Sequence, residues 1–188
     1  KRTTKRKEND GLNDFDTAVR RGAPKALRGV AIGGNRWRDS DLFSMRIAVI
    51  SDTHDRFPLT LPARLKGADE IWHLGDVCEP AVLTEFQLLG PPLHVVAGNC
   101  DEHGEWPLEL ELEREGVKFY LTHIPPHRGP AGFAAVLHGH THVPRDEVVA
   151  GVRWLNPGCI SRPRGVPPSF AWLTVADGKL VSWERVRV

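Results

Sequence analysis

The sequence predicts an α/β fold, and two observations carry that prediction. Five short apolar runs each end in residues that bind hard or borderline metal ions. Strand and helix signals also alternate through the first part of the folded region before giving way to strands alone. The runs are residues 47–50 before Ser51-Asp52-Thr53-His54, 71–74 before Gly75-Asp76, 95–97 before Gly98-Asn99-Cys100-Asp101, 119–121 before Thr122-His123, and 136–137 before His138-Gly139-His140-Thr141-His142. A strand rich in Val, Ile and Leu that stops at a polar loop delivers that loop to one sheet edge. In open α/β sheets ligands bind at this edge, outside the carboxyl ends of the strands. Asp52, His54, Asp76, Asn99, His123, His140 and His142 are therefore expected at one place. Two Asp, one Asn and four His exceed what a single tetrahedral ion needs. They fit two cations sharing a bridging carboxylate, an arrangement that hydrolyses phosphate esters.

The elements follow in chain order. Residues 46–50 form a continuous apolar run, the mark of a buried strand. Residues 61–66 read as a short helix with Pro62 in its first turn, 70–74 as the second strand, and 80–89 as a second helix with Pro80 near its start. A third strand is expected over 93–97. Residues 107–113 then alternate Leu108, Leu110 and Leu112 with Glu109, Glu111 and Glu113, the period of two of a half-buried strand. Residues 118–121 and 135–137 read as core strands. The tail, over 146–149, 152–155, 170–175 and 180–186, reads as a meander with turns at Ala150-Gly151 and Asp177-Gly178.

Charge divides the chain at Met45, its single methionine. Residues 1–44 carry eleven Lys or Arg against six acids, whereas the remainder carries fourteen against eighteen. The first segment is poor in apolar residues, with Gly29, Gly33, Gly34 and a Lys-Arg-rich start, and is expected to be a flexible basic extension. A helical stretch is expected at most around residues 14–21. Such an arm can bind nucleic acid through phosphates, or be a solvated tail upstream of the natural start. The 144 residues from Met45 suffice for one core. No apolar stretch approaches the ~20 residues of a spanning helix, and no apolar region follows the basic start, so neither membrane segment nor signal peptide is expected. Three cysteines without framework spacing, Cys78, Cys100 and Cys159, point to a reducing cytoplasm.

The order D-x-H, G-D, G-N-C-D, a strand-end His and G-H-T-H, followed by Asn156-Pro157-Gly158, resembles the calcineurin-like metallophosphoesterases. The branch is that of small bacterial and archaeal phosphodiesterases whose third motif reads G-N-C-D. The likeness runs from Met45 to about Val188. It implies a four-layer α/β/β/α sandwich with a dinuclear site between the sheet edges, acting on a small phosphodiester. By that resemblance Asp52, His54 and His142 would hold one ion, Asn99, His123 and His140 the other, and Asp76 would bridge. Imidazole and carboxylate together suit Mn²⁺, Fe²⁺, Zn²⁺ or Ni²⁺, with Mn²⁺ placed first. Two such cations lower the pKa of a shared water toward neutrality and supply the attacking hydroxide. Asn99, Cys100 and Asp101 would carry the remaining catalytic duties. The Asn99 amide stabilises transition-state charge, and Asp101 or backbone carbonyls accept from the ligand imidazoles. Arg164 lies at the spacing of an arginine seen in relatives, where it meets the phosphate or ties down its loop.

Two departures from the family pattern matter. Cys100 stands where many relatives have a His that protonates the leaving group. A thiol is a poorer donor, which favours good leaving groups or another donor such as His127 or His103. His123 is followed by Ile124-Pro125-Pro126, so a proline-rich loop is expected to replace or shorten the helix before G-H-T-H. His73, His94 and His138, Cys78 and Cys159, and the tryptophans are read as packing residues. The alternative to an enzyme is a protein-binding scaffold similar to the retromer scaffold subunit, which shares the fold and most motif residues. Cys100 favours the enzyme, since scaffold relatives carry a bulky apolar residue there. Neither reading excludes a homo-oligomer.

Overall fold

The computed structural model describes residues 44–102 and 105–188. The basic segment up to residue 43, with the helix expected around 14–21, and His103 lie outside the described residues.

Two five-stranded sheets make the domain. The first runs β10 (Lys179–Arg187), β9 (Ser169–Ala176), β1 (Met45–Ile50), β2 (Glu70–His73), β3 (Leu93–Val95). The second runs β4 (Glu109–Arg114), β5 (Val117–Thr122), β6 (Ala135–Leu137), β8 (Val152–Asn156), β7 (Arg145–Val149). Parallel pairing joins β1 to β2 and β2 to β3 in one sheet, and β5 to β6 and β6 to β8 in the other. The carboxyl ends of these parallel strands are where the polar loops emerge.

Alternation along β1 explains the layering. Ile47 and Val49 face the second sheet, packing with Trp72, Leu74, Phe119, Leu121, Leu137, Leu155 and Leu173. Ala48 and Ile50 face the other way, onto Leu61, Leu65, Leu83 and Phe86. Both faces are covered, so the strand is apolar throughout, as a buried parallel strand must be. Each fully buried Leu, Ile or Phe contributes roughly 1.5–3 kcal/mol. At the centre, Trp72 meets Phe119 edge-on at 5.3 Å, and its indole N–H donates to Glu70 Oε2 at 2.8 Å.

The helices are shorter than the sequence suggests. α1 covers Leu61–Arg64, and the second helical region is a 3-10 turn over Pro80–Leu83 continued by α2 (Thr84–Gln87). Both are stopped by glycines in the left-handed region, Gly67 (φ 85°) and Gly90 (φ 97°). From Glu109 on, β4 keeps the expected alternation, with Leu110 and Leu112 packed inward and the three glutamates outward, whereas Leu108, expected on the buried face, precedes the strand and is exposed.

The last four strands do not form one meander. β7 and β8 are an antiparallel hairpin in the second sheet, whereas β9 pairs antiparallel with β1 and carries β10 on the edge of the first. The reason is burial. β9 is buried along nearly its whole length and fits only inside a sheet, while β10 has a half-exposed pattern suited to an edge. The hairpin turns stand as expected, with Ala150-Gly151 and Asp177-Gly178 all at positive φ.

The α/β sandwich expected from the motifs is present, with its helices on the first sheet. On the outer face of the second sheet, Tyr120, Val136 and Trp154 pack with Phe133 and Val152 rather than under a helix among the described residues. Pro125, Pro126 and Pro130 in the covering loop remove helix donors there.

Candidate metal centre

The loops at the strand ends are laced together by backbone. Asp52 N–H donates to Gly75 O (3.0 Å), His54 N–H to Asp76 O (2.9 Å), Gly139 N–H to His123 O (3.1 Å) and Ile160 N–H to Ser51 O (3.2 Å). Asp52, His54, Asp76, His140 and His142 all sit at positive φ, between 41° and 64°. That conformation is unfavourable for residues with a Cβ and persists where surroundings over-determine it, typically at functional sites. Two glycines permit the close approach. A Cβ on Gly98 would come within 2.2 Å of Asp76 N, and one on Gly139 within 2.1 Å of Ser51 Oγ.

The structure brings all seven expected metal-binding residues together. Ligand atoms of Asp52, His54, Asp76 and His142 lie within 4.8 Å of one another, and all four residues are buried. His142 Nε2 is 3.2 Å from Asp52 Oδ1, and His54 Nε2 is 3.6 Å from Asp76 Oδ2. On the other side, His123 Nε2 is 3.3 Å from Asp76 Oδ1 and 3.2 Å from Asn99 Oδ1. His140 Nδ1 lies 2.9 Å from that same amide oxygen. Asp76 thus turns one oxygen to each group. His123, despite its unusual proline neighbours, is buried within the cluster.

The donor set fits cations. Asp52 Oδ2 is buried without a hydrogen-bond partner, and the Nε2 atoms of His54 and His142 face each other at 3.4 Å. Nδ1–H of His142 donates to Arg162 O (2.6 Å) and Nδ1–H of His123 to Leu74 O (2.7 Å), which leaves the Nε2 lone pairs directed inward. Burial opposes ionisation of Asp76, but hydrogen bonds from His123 and the Cys100 N–H outweigh it and hold the carboxyl well below its usual range. Burial also opposes a charge on His123, and its contact with Asp76 overcomes this and raises the imidazole pKa. Burial raises Asp52 and lowers His54.

Asp101 braces the loops rather than the histidines. Its carboxylate accepts from the N–H groups of Asp76 (3.0 Å), Cys78 (2.7 Å) and Gly98 (2.6 Å), while backbone carbonyls accept from the ligand imidazoles. Cys100 lies in the cleft with its N–H on Asp76 Oδ1 (2.9 Å), and burial together with Asp76 pushes its thiol pKa up. Arg164 lines the same cleft of about 310 Å³ and has no ion-pair partner among the described residues. His127 lies exposed on the loop after β5.

Three residues have roles that the sequence did not assign, Asn156 among them although its motif was noted. Arg162 lines the cleft and offers its carbonyl to His142. Asn156 donates to Gly139 O (2.9 Å) and Thr141 Oγ1 (3.2 Å), which holds the G-H-T-H loop. Cys78, expected only to pack, sits at φ 72° with its sulfur 3.7 Å from His54 Nδ1. Its place two residues after Gly-Asp was the available signal. His73 does pack, fully buried against Thr53 Oγ1 (3.1 Å), with burial pushing its pKa down to about 3, whereas His94 is partly exposed beside Glu70 and Trp37 lies outside the described residues.

A two-sheet sandwich with this Asp, His and Asn set at its strand ends, five of the seven buried and Asn99 and His140 open to solvent, is that of a metallophosphoesterase. The chain belongs to the calcineurin-like phosphoesterase superfamily, whose domain pattern matches residues 45–178. It is 33% identical over 162 residues to a "probable metallophosphoesterase" of Methanothermobacter thermautotrophicus, covering 76% of this chain and 92% of the relative. Identity is 28% to a phosphodiesterase of Methanocaldococcus jannaschii, over 65% of this chain and 89% of that one. The fold also matches the zinc complex of Vps29 from Entamoeba histolytica, with TM-score 0.62 and 24% identity over 77% of this chain and 98% of that one. Among the described residues no helix is long and apolar enough to cross a membrane.

Proposed function

We propose that the protein is a phosphodiesterase using two divalent cations, and the carrying observation is the division of Asp76 between two ligand groups. In this reading Asp52, His54 and His142 hold one ion, Asn99, His123 and His140 the other, and Asp76 belongs to both. The donors suit Mn²⁺, Fe²⁺, Zn²⁺ or Ni²⁺ alike, and Mn²⁺ is the cation proposed from the family resemblance. When bound, the cations supply a water made acidic enough to lose its proton near pH 7 and positive charge for the phosphoryl oxygens.

The protein's own groups do the rest. Exposed Arg162 and Arg164 on the cleft wall draw in and orient an anionic phosphate. The Asn99 amide N–H, beside Cys100 Sγ at 3.6 Å, is placed to donate to an oxygen that gains charge. The Cys100 thiol, kept protonated at neutral pH by its raised pKa, is placed to give a proton to the departing oxygen. Open space on both sides of Asn99 suits a diester, which has two ester arms. The name of the Methanocaldococcus relative agrees with this choice.

The Vps29 neighbours support a second reading, a scaffold of the same fold with little or no catalysis. One experiment bears on both. Hydrolysis of bis-4-nitrophenyl phosphate by the manganese-loaded protein is expected, and Asp76→Asn should lose most bound metal and nearly all turnover. Two ions per chain and intact activity in that variant would sink the dinuclear assignment. An inert, fully metallated wild type would favour the scaffold.

A further inference from the structure

A second cleft opens beside the candidate metal centre, and its chemistry differs from that of the arginine-lined side. It encloses about 390 Å³ and begins at Asn99 and His123, the two residues it shares with the centre. From there it runs past Ala97 to Leu108 and Ile124, with Glu109 on its wall. Leu108 is 73% exposed and Ile124 54%, two large apolar side chains presented to solvent at the mouth of one concavity. Neither belongs to a core cluster, and what sets them apart from singly exposed apolar residues elsewhere on the surface is that both line one cleft.

The walls are set by backbone. Ala97 N–H donates to Pro107 O at 2.8 Å, which fixes the segment leading to Leu108 against the end of β3. Thr122 Oγ1 donates to Ile124 O at 3.2 Å, which sets the turn that turns Ile124 outward directly after His123. The cleft is therefore built on both sheets and held at a fixed position relative to Asn99 and His123.

Charge selects among occupants. Among the described residues no Lys or Arg lines this cleft, and Glu109 does, so a second phosphate or carboxylate would meet repulsion with no counter-ion there. Arg162 and Arg164 line the other cleft, which meets this one at Asn99. We infer that this cleft is the subsite for one ester group of the substrate, and that the group is uncharged and apolar, aromatic or short alkyl. The substrate class is accordingly a phosphodiester with one neutral apolar arm, its phosphate at Asn99 and His123 and its other arm toward Arg162 and Arg164. Leu108 and Ile124 are specificity-determining residues. This rests on the phosphodiesterase reading for the word diester, but the apolar preference is a property of the cleft itself.

The test uses the manganese-loaded full chain and phosphonates that are not hydrolysed and carry a single arm. Calorimetric titration with methylphosphonate, butylphosphonate and phenylphosphonate should give rising affinity, with phenyl roughly tenfold tighter than methyl. In Leu108→Asn and Ile124→Asn the phenyl-to-methyl ratio should fall toward one, with metal content measured in each variant as a check on the centre. Both side chains are exposed, so loss of the fold is not the expected cause of any change. Equal affinity for methyl and phenyl, or a ratio unchanged in both variants, overturns the inference and leaves a protein segment as the occupant. Turnover of bis-4-nitrophenyl phosphate is measured in parallel. Its absence, with the phenyl preference retained and sensitive to both variants, would refute the phosphodiesterase reading while the apolar subsite stands.

Discussion

Cys100 shows what a single residue contributes once its surroundings are known. Its backbone N–H is committed to Asp76 Oδ1, its side chain opens into the arginine-lined cleft, and burial with the nearby carboxylate keeps the thiol protonated. A thiol with a raised pKa is a weak acid toward an alkoxide, so rates should depend steeply on how well the leaving group departs unaided. Nitrophenyl diesters should outpace alkyl diesters by orders of magnitude. Cys100→His should narrow that margin by about tenfold or more, because an imidazolium is available near pH 7. The measurement is the aryl-to-alkyl rate ratio for both proteins at equal metal content. An unchanged ratio in a metallated Cys100→His variant would move the proton donor elsewhere, with exposed His127 the next residue to test.

At the scale of elements, the decisive feature is how closely the loop after β3 approaches the loop after β2. Gly98 has no room for a side chain, since a Cβ would lie 2.2 Å from Asp76 N and 2.3 Å from Asp76 Oδ1. The first of these is backbone and cannot rotate away. Asp101 reinforces the contact by accepting from Asp76 and Gly98 together. Gly98→Ala is expected to cost about 1–3 kcal/mol of stability and to weaken Mn²⁺ binding on the order of tenfold or more. Urea denaturation and calorimetric metal titration read the two effects. Gly116→Ala is the contrasting case: a Cβ there meets no neighbour, and its φ of 75° makes it a test of conformational strain without a clash at the centre. Full Mn²⁺ affinity in Gly98→Ala would mean that the loops can part without disturbing Asp76.

For the whole molecule, the boundary near Met45 carries a prediction. β1 begins at Met45 and is the middle strand of the first sheet, paired with β2 on one side and β9 on the other. Every residue of the candidate centre follows it. A chain beginning at Met45 is expected to keep its urea midpoint, its metal content and its turnover of a nitrophenyl diester within about twofold. Insolubility or loss of turnover would make residues 1–44 part of the domain.

By itself the sequence determined most of the strands and the convergence of the Asp, His and Asn side chains at one edge. The physical reason is that burial on both faces forces a continuous apolar run, and a parallel strand must release its loop at the carboxyl edge. Asp52, His54, Asp76, Asn99, His123, His140 and His142 were legible because each stands directly behind such a run. The turns at Ala150-Gly151 and Asp177-Gly178 were legible because Gly151 and the Asp177-Gly178 pair tolerate positive φ. Only the tertiary structure decided that β9 leaves the tail to sit beside β1, since adjacency in the chain says nothing about which sheet has a vacant neighbour for a strand buried on both faces. It alone decided that Asp101 holds three backbone N–H groups, that Cys78 reaches His54, and that Arg162 supplies a carbonyl to His142. Contacts between loops distant in sequence leave no periodic trace, because they depend on distances set by two packed sheets.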